Sequence, residues 1–417
     1  MNALARRTFA ALRFRNYRLY LASQLVSFSG TWMQSLAQSW LVLQLTGSGT
    51  ALGTVLAFQF LPTLFLAPVG GMIADRVDKR RLLIATQTAA GLLSLALGLL
   101  VLGAHVELWM VYAIAAGFGL ITAIDNPARQ TFVSEMVGPD HLTNAVTLNS
   151  VMVNAARALG PALGGVLIAT LGIGQCFIVN AASYSVVIVT LMLLDRSTMY
   201  PTTLAVRAPR QLRQGLAYGW RTPTLRTTLI MLTLIGMFTF EFTVTLPLLA
   251  DDTFAVGSGG LAIMETMFGV GAVIGGLVVA ASGPPTLRRR NALALSGGMS
   301  TLALAIAPSA WLAYLAMPFV GGSLIAMLAV GNATLQLNSA PHLRGRVMAL
   351  FAMAIMGTTP LGGPAIGWIA ERFDPRVAVA FGGFAALAAG AYGWFETERA
   401  RVVHTGEILV TAPAAGH

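Results

Sequence analysis

Four ionisable side chains lie in or at the end of long apolar runs of this 417-residue chain: Asp125, Arg157, Glu241 and Glu265. A charge carried into hydrocarbon costs about 2.5–3.5 kcal/mol, so residues of this kind are read as functional. Glu241 is the most deeply placed, about 14 residues from the near end of its run, or about 21 Å along a helix axis. Burial there disfavours the charged form, which suits a carboxyl that loads and releases a proton. Glu265 sits only about 5 residues into its run and has two readings, a functional acid or a hydrated end group. Arg157 joins Ser150 and Asn154 in a polar stripe at i, i+4, i+7 spacing. It either meets an anionic substrate or an acid in a cavity, or makes a packing pair with another helix. Asp125 ends its run near the loop of Asp75 and is expected to act as a charge latch with Arg76 or Arg80.

The first apolar run carries Ser27, Thr31, Gln34 and Gln38 on one helical face, beside Trp32, Met33 and Trp40. Hydrogen-bonding groups next to large apolar ones suit a broad amphipathic substrate. Interhelical hydrogen bonding is the competing reading. Other chemistries lack their residues. The five histidines show no ligand spacing, and Cys176 is the single cysteine, so neither a metal site nor a disulfide framework is expected. No nucleophile–base pair is seen, and no phosphate-loop sequence occurs. The run Gly269-Val270-Gly271-Ala272-Val273-Ile274-Gly275-Gly276 hints at a dinucleotide loop. It lies inside an apolar run, where glycines four apart at Gly271 and Gly275 instead serve close helix packing. The chain is therefore expected to be no enzyme and to carry no cofactor.

What positions these side chains follows from composition. Hydrophobic residues make up 56% of the chain and charged residues 10%, where a soluble domain carries roughly 25% charged. That excludes an aqueous enzyme, a disordered chain and an acidic binding module. A membrane span needs about 20 apolar residues. Twelve stretches qualify in rough limits: 20–43, 51–73, 83–103, 109–125, 145–171, 175–194, 227–249, 260–282, 292–308, 311–331, 347–370 and 378–395. They are continuous and far exceed the ~10 residues of a barrel strand, so an all-α integral membrane protein of twelve helices is expected. The first is read as a span and not a cleaved signal, because it is long and holds Gln24, Gln34 and Gln38.

The net charge of +10 would point to nucleic acid in a soluble protein; here it is the lysine and arginine excess of cytoplasmic loops. With both termini inside, 23 of the 26 Lys and Arg fall in cytoplasmic segments and only Arg372 and Arg376 outside. The partners expected are a lipid bilayer, a small-molecule substrate and protons, with no nucleic acid.

The longest polar interruption, 196–226, carries Arg207, Arg210, Arg213 and Arg221 with three prolines. It divides the chain into a six-helix bundle at 1–195, a cytoplasmic linker at 196–226, a second bundle at 227–395 and a cytoplasmic tail at 396–417. The halves echo each other. Gly47-Ser48-Gly49 and Gly257-Ser258-Gly259 stand 210 residues apart, as do Lys79-Arg80 and Arg289-Arg290. His141-Leu142 then matches His342-Leu343, and Gly160-Pro161-Ala162-Leu163-Gly164-Gly165 falls near Gly362-Gly363-Pro364-Ala365-Ile366-Gly367. Paired halves of this kind form a site at the midplane and rock about it.

The most specific motif follows the second stretch: Gly70-Gly71-Met72-Ile73-Ala74-Asp75-Arg76-Val77-Asp78-Lys79-Arg80-Arg81. The glycines permit close helix approach. Asp75 can cap a helix N-terminus or pair with an arginine, and so latch one conformation. Gly71, Asp75, Arg76, Lys79 and Arg80 in this spacing resemble the loop 2–3 signature of the major facilitator superfamily, with Asp78 where that signature has glycine. Gly160, Pro161, Gly164 and Gly165 resemble that superfamily's antiporter motif. Leu12 to Tyr20, Gly30 to Gln34 and Asp125 to Gln130 look like the branch of enterobactin exporters and macrolide-efflux proteins. The fourth stretch departs from the pattern: 109–124 has no charge where many drug/proton antiporters place an arginine.

The resemblance implies the major facilitator fold. It also implies a plasma-membrane secondary transporter, a proton-coupled antiporter exporting small amphipathic or hydrophobic compounds by alternating access. Importer, facilitator and non-transporting receptor or subunit are the rival readings.

Overall fold

The computed structural model describes residues 9–200, 211–340 and 343–411. His342 and residues 201–210 of the interruption, with Arg207 and Arg210, lie outside them. Helix accounts for 89% of the described residues, and no strand occurs among them. In lipid a helix satisfies its own backbone hydrogen bonds, which an open strand cannot do. The helices are α1 (Arg15–Thr46), α2 (Gly49–Arg76), α3 (Lys79–Leu102), α4 (Leu108–Val137), α5 (Leu142–Leu171) and α6 (Ile173–Leu193). After a short α7 (Gln211–Arg221) come α8 (Pro223–Leu234), α9 (Phe242–Leu248), α10 (Gly257–Ala281), α11 (Leu287–Ala305) and α12 (Ala310–Leu337). Then follow α13 (Arg344–Ile355), α14 (Thr359–Arg372) and α15 (Pro375–Thr411).

Each of the twelve apolar stretches is helical. Ten helical stretches among the described residues are long and apolar enough to cross a membrane. The two others are α1 and α11, whose polar side chains turn inward. In α1, Gln24, Ser27, Gln34, Gln38 and Ser39 are buried. In α11, Arg290 is 1% exposed; its guanidinium donates to Thr228 Oγ1 at 2.6 Å and to Asn291 Oδ1 at 2.8 and 3.0 Å. These polar side chains lower the apolar content of the two stretches and, being buried, expose no charge to lipid.

The packing follows the repeat. α2 lies against α14, and α10 against α5. A Cβ at Gly49 would meet Gly367 O at 2.6 Å, and one at Gly53 would collide with Gly363 O. In the second pair, a Cβ at Gly165 would meet Ala262 Cβ at 2.5 Å, and one at Gly269 would meet Ala158 Cα at 2.7 Å. The two Gly/Pro runs thus face partners that are themselves related by the repeat. Turn geometry agrees. Gly47 and Gly257 hold φ of +61° and +62°, left-handed conformations that favour glycine. Both precede a second helix of their half. Gly271 packs on Pro318 O and Gly275 on Gly322, so the glycine run of α10 is a helix-packing face.

Two stretches depart from simple spans. Between α8 and α9 the chain makes a π turn at Ile235–Thr239, and Phe240 and Glu241 leave helical geometry. Between α13 and α14 it breaks at 356–358. The polar interruption contains the helix α7, whose Tyr218 hydroxyl accepts from Ala340 N at 3.1 Å. The tail begins as a continuation of α15.

Candidate functional site

The loop after α2 is built from residues that each take a different partner. Gly70 is the close-approach glycine, packed on the α4 backbone at Ala123; Gly71 is also buried. Asp78, not Asp75, caps the following helix: its carboxylate accepts from Arg81 N at 2.9 Å. Its φ is −53°, so no glycine is needed there. Lys79 pairs with Glu135 of α4 at 2.7 Å, and Arg80 donates to Met192 O at the end of α6 at 2.5 Å. Arg76 is exposed, and Asp75 is half-buried with no hydrogen bond or ion pair among the described residues.

Asp125 is buried and fully engaged, but not with Arg76 or Arg80 as its place in the chain suggested. One oxygen accepts from Thr86 Oγ1 at 2.6 Å and Gln87 Nε2 at 2.9 Å. The other holds Arg129, at 2.8 Å to Nε and 2.5 Å to Nη2. Arg129 also donates to Gln24 and stacks over Phe28 at 5.2 Å. An i, i+4 pair on one face of α4 outcompetes a loop arginine because the helix already places its partner. This network ties α1, α3 and α4 together.

Gln34 accepts from Asn180 Nδ2 at 2.7 Å and from Ser94 Oγ. Its carbonyl is consumed in joining α1, α3 and α6. Gln38 is different: with Ser35, Ser39, Gln59 and Thr243 it lines a small cavity between α1, α2 and α9. On α5, Gly160 packs under Trp32 and Ser29, while Gly164 lies 3.4 Å from Met33 Cγ as placed for a Cβ. Pro161 is buried inside the helix. Asn154 donates to Ser150 O at 2.9 Å, within its own helix. The Arg157 guanidinium lies 4.6 Å from the ring centroid of Trp32. Its Nε is buried without a hydrogen-bond partner. Glu265 is half-buried on α10.

Glu241 is 3% exposed, at the break between α8 and α9. Its Oε1 is buried and unpartnered. The two oxygens face Gly362 and Gly363 of α14, where a Cβ would stand 3.0 Å and 3.5 Å from them. Gly363 is also the residue that Gly53 of α2 packs on. The acid therefore sits in the seam where three segments meet, and only glycines leave it room.

One clasp has no trace in the sequence motifs. Glu371, near the end of α14, accepts from Ser48 Oγ at 2.8 Å and Thr50 N at 3.1 Å at the N-terminus of α2. Helix N-termini favour an anion, but nothing local in sequence joins positions 323 apart. Arg290 was also hidden, since it reads as one of three adjacent loop arginines.

Comparison with known proteins places this arrangement. The family described as transmembrane secretion effector matches residues 6–402. The multidrug efflux pump Tap of Mycobacterium tuberculosis is 25% identical over 95% of this chain and 93% of its own. The staphyloferrin A transporter of Staphylococcus aureus is 28% identical over 63% and 66%, and macrolide efflux protein A of Streptococcus pyogenes 22% identical over 64% and 67%. Among solved structures, a bacterial homologue of the human lysosomal transporter Spinster, inward-facing and occupied, superposes with a TM-score of 0.71. It shares 13% identity and covers 92% of this chain and 97% of that one. The chain belongs to the transmembrane secretion effector family of the major facilitator superfamily, and is a multi-pass membrane transporter and not an enzyme.

Proposed function

We propose that this transporter is a proton-coupled antiporter of the plasma membrane that exports small amphipathic or hydrophobic compounds. Two six-helix bundles, 1–195 and 227–395, make up its twelve spans. The linker 196–226, the tail 396–417 and both termini are cytoplasmic. The reciprocal packing of α2 on α14 and of α5 on α10 supports the two-bundle reading, and the efflux relatives support the direction.

The observation that carries the coupling is Glu241, a carboxyl closed into the α2–α14 seam with one oxygen unpartnered. Burying the ion costs far more than burying the acid. A Glu241 protonated from the exterior therefore lets this seam close, and the proton is released to the cytoplasm once the cavity opens inward. In this conformation the bundles meet at the ends of α2 and α14 that carry Gly49, Gly367 and the Glu371 clasp. In the proposed orientation that end is external, so the cavity faces the cytoplasm. Asp75, at the opposite end of α2, is unbonded, as a latch released in this state would be.

The energetics suffice. One proton moving down about 100 mV releases about 2.3 kcal/mol. A unit of pH adds about 1.4 kcal/mol. The total of about 3.7 kcal/mol sustains a roughly 400-fold substrate gradient at about 1.4 kcal/mol per tenfold. Ethidium accumulation in inside-out vesicles tests the reading. Accumulation should require an acidic lumen and collapse with a proton ionophore; accumulation indifferent to the ionophore overturns proton coupling.

A further inference from the structure

We propose that Arg157 and Trp32 form an anion subsite, and that the transporter's range of amphipathic substrates extends to compounds that carry a carboxylate on an otherwise apolar body. The inference rests on the transporter reading and names the substrate class of the same cavity.

The placement comes from the faces of α5, at 3.6 residues per turn. Gly160 and Gly164 turn one side of the helix to Trp32 and Met33 of α1. Ala158 and Gly165 turn another side to Gly269 and Ala262 of α10. Ser150, Asn154 and Arg157 occupy the stripe between these two sides, and so address the crevice between α1 and α10.

Among the described residues, Arg157 stands apart in having no partner for its donors. The protein's other inward arginines are satisfied: Arg129 by Asp125 and Gln24, Arg290 by Thr228 and Asn291. Arg157 has no ion pair and donates no hydrogen bond among the described residues; its buried Nε is an orphan. A guanidinium offers five N–H donors in a planar fork. Trp32 covers one face of that plane at 4.6 Å, and among the described residues no acceptor takes the edge of the fork. An open fork edge matches a carboxylate, which accepts two parallel charge-assisted bonds. Lipid is not the source of this anion, because the stripe lies between two packed faces of α5.

Glu265 does not fill the vacancy. The antiparallel pairing of Ala158 with Gly269 and Gly165 with Ala262 puts Glu265 level with about residue 162. That is about five residues, or about 7 Å along the axis, from Arg157. The acid disfavours an anion at its own end, which sets the polarity of binding.

The test uses a matched series on detergent-purified protein by titration calorimetry: 2-naphthoate, 2-naphthamide and 2-naphthylmethylamine. Naphthoate should bind most tightly. Arg157→Gln should weaken naphthoate by about tenfold or more while changing the amide by less than about twofold. Arg157→Lys should fall between, since an ammonium keeps the charge but loses the fork. Trp32→Leu, which spares the arginine, should weaken naphthoate less than Arg157→Gln and serves if that variant does not fold. Naphthoate that fails to bind, binds no better than the amide, or is unaffected by Arg157→Gln overturns the subsite. Ethidium transport separates the two claims. Uphill transport without anion preference leaves the transporter reading standing and sinks the subsite. Arginine-dependent naphthoate binding without uphill transport does the reverse.

Discussion

The carboxylate of Glu371 caps the N-terminus of α2 from across the fold, accepting from Ser48 Oγ at 2.8 Å and from Thr50 N at 3.1 Å. Ser48 is itself the N-cap residue, accepting from Ala51 N at 3.1 Å. One short motif, Gly47-Ser48-Gly49, thus ends α1, starts α2 and receives the clasp. Directly below it Gly49 and Gly367 bring the two backbones together. Removing the anion should loosen this end without disturbing either helix. The clasp is exposed, so it contributes about 1 kcal/mol, the usual net value of one hydrogen bond.

Glu371→Ala should therefore shift the population toward opening at this end by about fivefold. The readout is labelling of a Gln38→Cys protein, in a Cys176→Ser background, by an impermeant maleimide added outside intact cells. Faster labelling in Glu371→Ala is expected; an unchanged rate shows that the clasp carries no conformational weight.

The Asp125–Arg129 pair is structural, and its deletion should behave accordingly. Asp125→Ala leaves a buried guanidinium without its carboxylate, a loss of about 3–5 kcal/mol for a pair of this kind. The double variant Asp125→Ala/Arg129→Met removes both charges and should recover much of that stability. Melting in detergent checks this. A double variant no more stable than Asp125→Ala would mean that the five-residue network, and not the stranded charge, sets the cost.

Asp75 should show the opposite profile. It touches nothing polar in this conformation, so Asp75→Asn should leave the melting temperature within about 2 °C of the parent. If the residue latches the other conformation, ethidium efflux should nonetheless fall severalfold. Full efflux by well-expressed Asp75→Asn protein would reduce the loop to a topology signal.

Orientation has its own test. The split of 23 basic residues against 2 predicts that both termini and the linker are cytoplasmic. A phosphatase fusion, active only outside the cytoplasm, should be silent at position 210 and active near 255. The reverse pattern would invert every inside and outside assignment.

How much of this could be read from the chain differs residue by residue. The helices were legible because hydrocarbon leaves the backbone one solution, and a run such as 260–282 has no charged residue to argue otherwise except Glu265. The family was legible in Gly71-x-x-x-Asp75-Arg76 and Gly160-Pro161. The use of Gly271 and Gly275 as a packing face of α10, against Pro318 and Gly322, followed from the rule that small residues permit close approach. Partners were less legible. Asp78 carries the ordinary signal of an N-cap, an acid before a helix with its acceptor three residues from the N–H it takes. Asp75, the acid of the motif, takes no part in this cap. Asp125 was matched to a nearby loop when its own helix supplied Arg129 one turn on. Glu371 was invisible, since its partners Ser48 and Thr50 are brought to it only by the fold. The break at Phe240-Glu241 was equally hidden, because the residues around it are apolar and no proline or glycine sits at the break itself.

The most direct test of the account is proton-gradient-driven ethidium transport in proteoliposomes by Glu241→Gln, with ethidium binding measured on the same preparation. The amide mimics the protonated carboxyl and fits the same space beside Gly362 and Gly363. The variant should bind ethidium within about threefold of the parent and lose transport against a gradient, while Glu265→Gln retains most of it. Uphill transport by Glu241→Gln at the parent's rate would contradict the account, because the carboxyl closed into the α2–α14 seam would then not be the one that carries the proton.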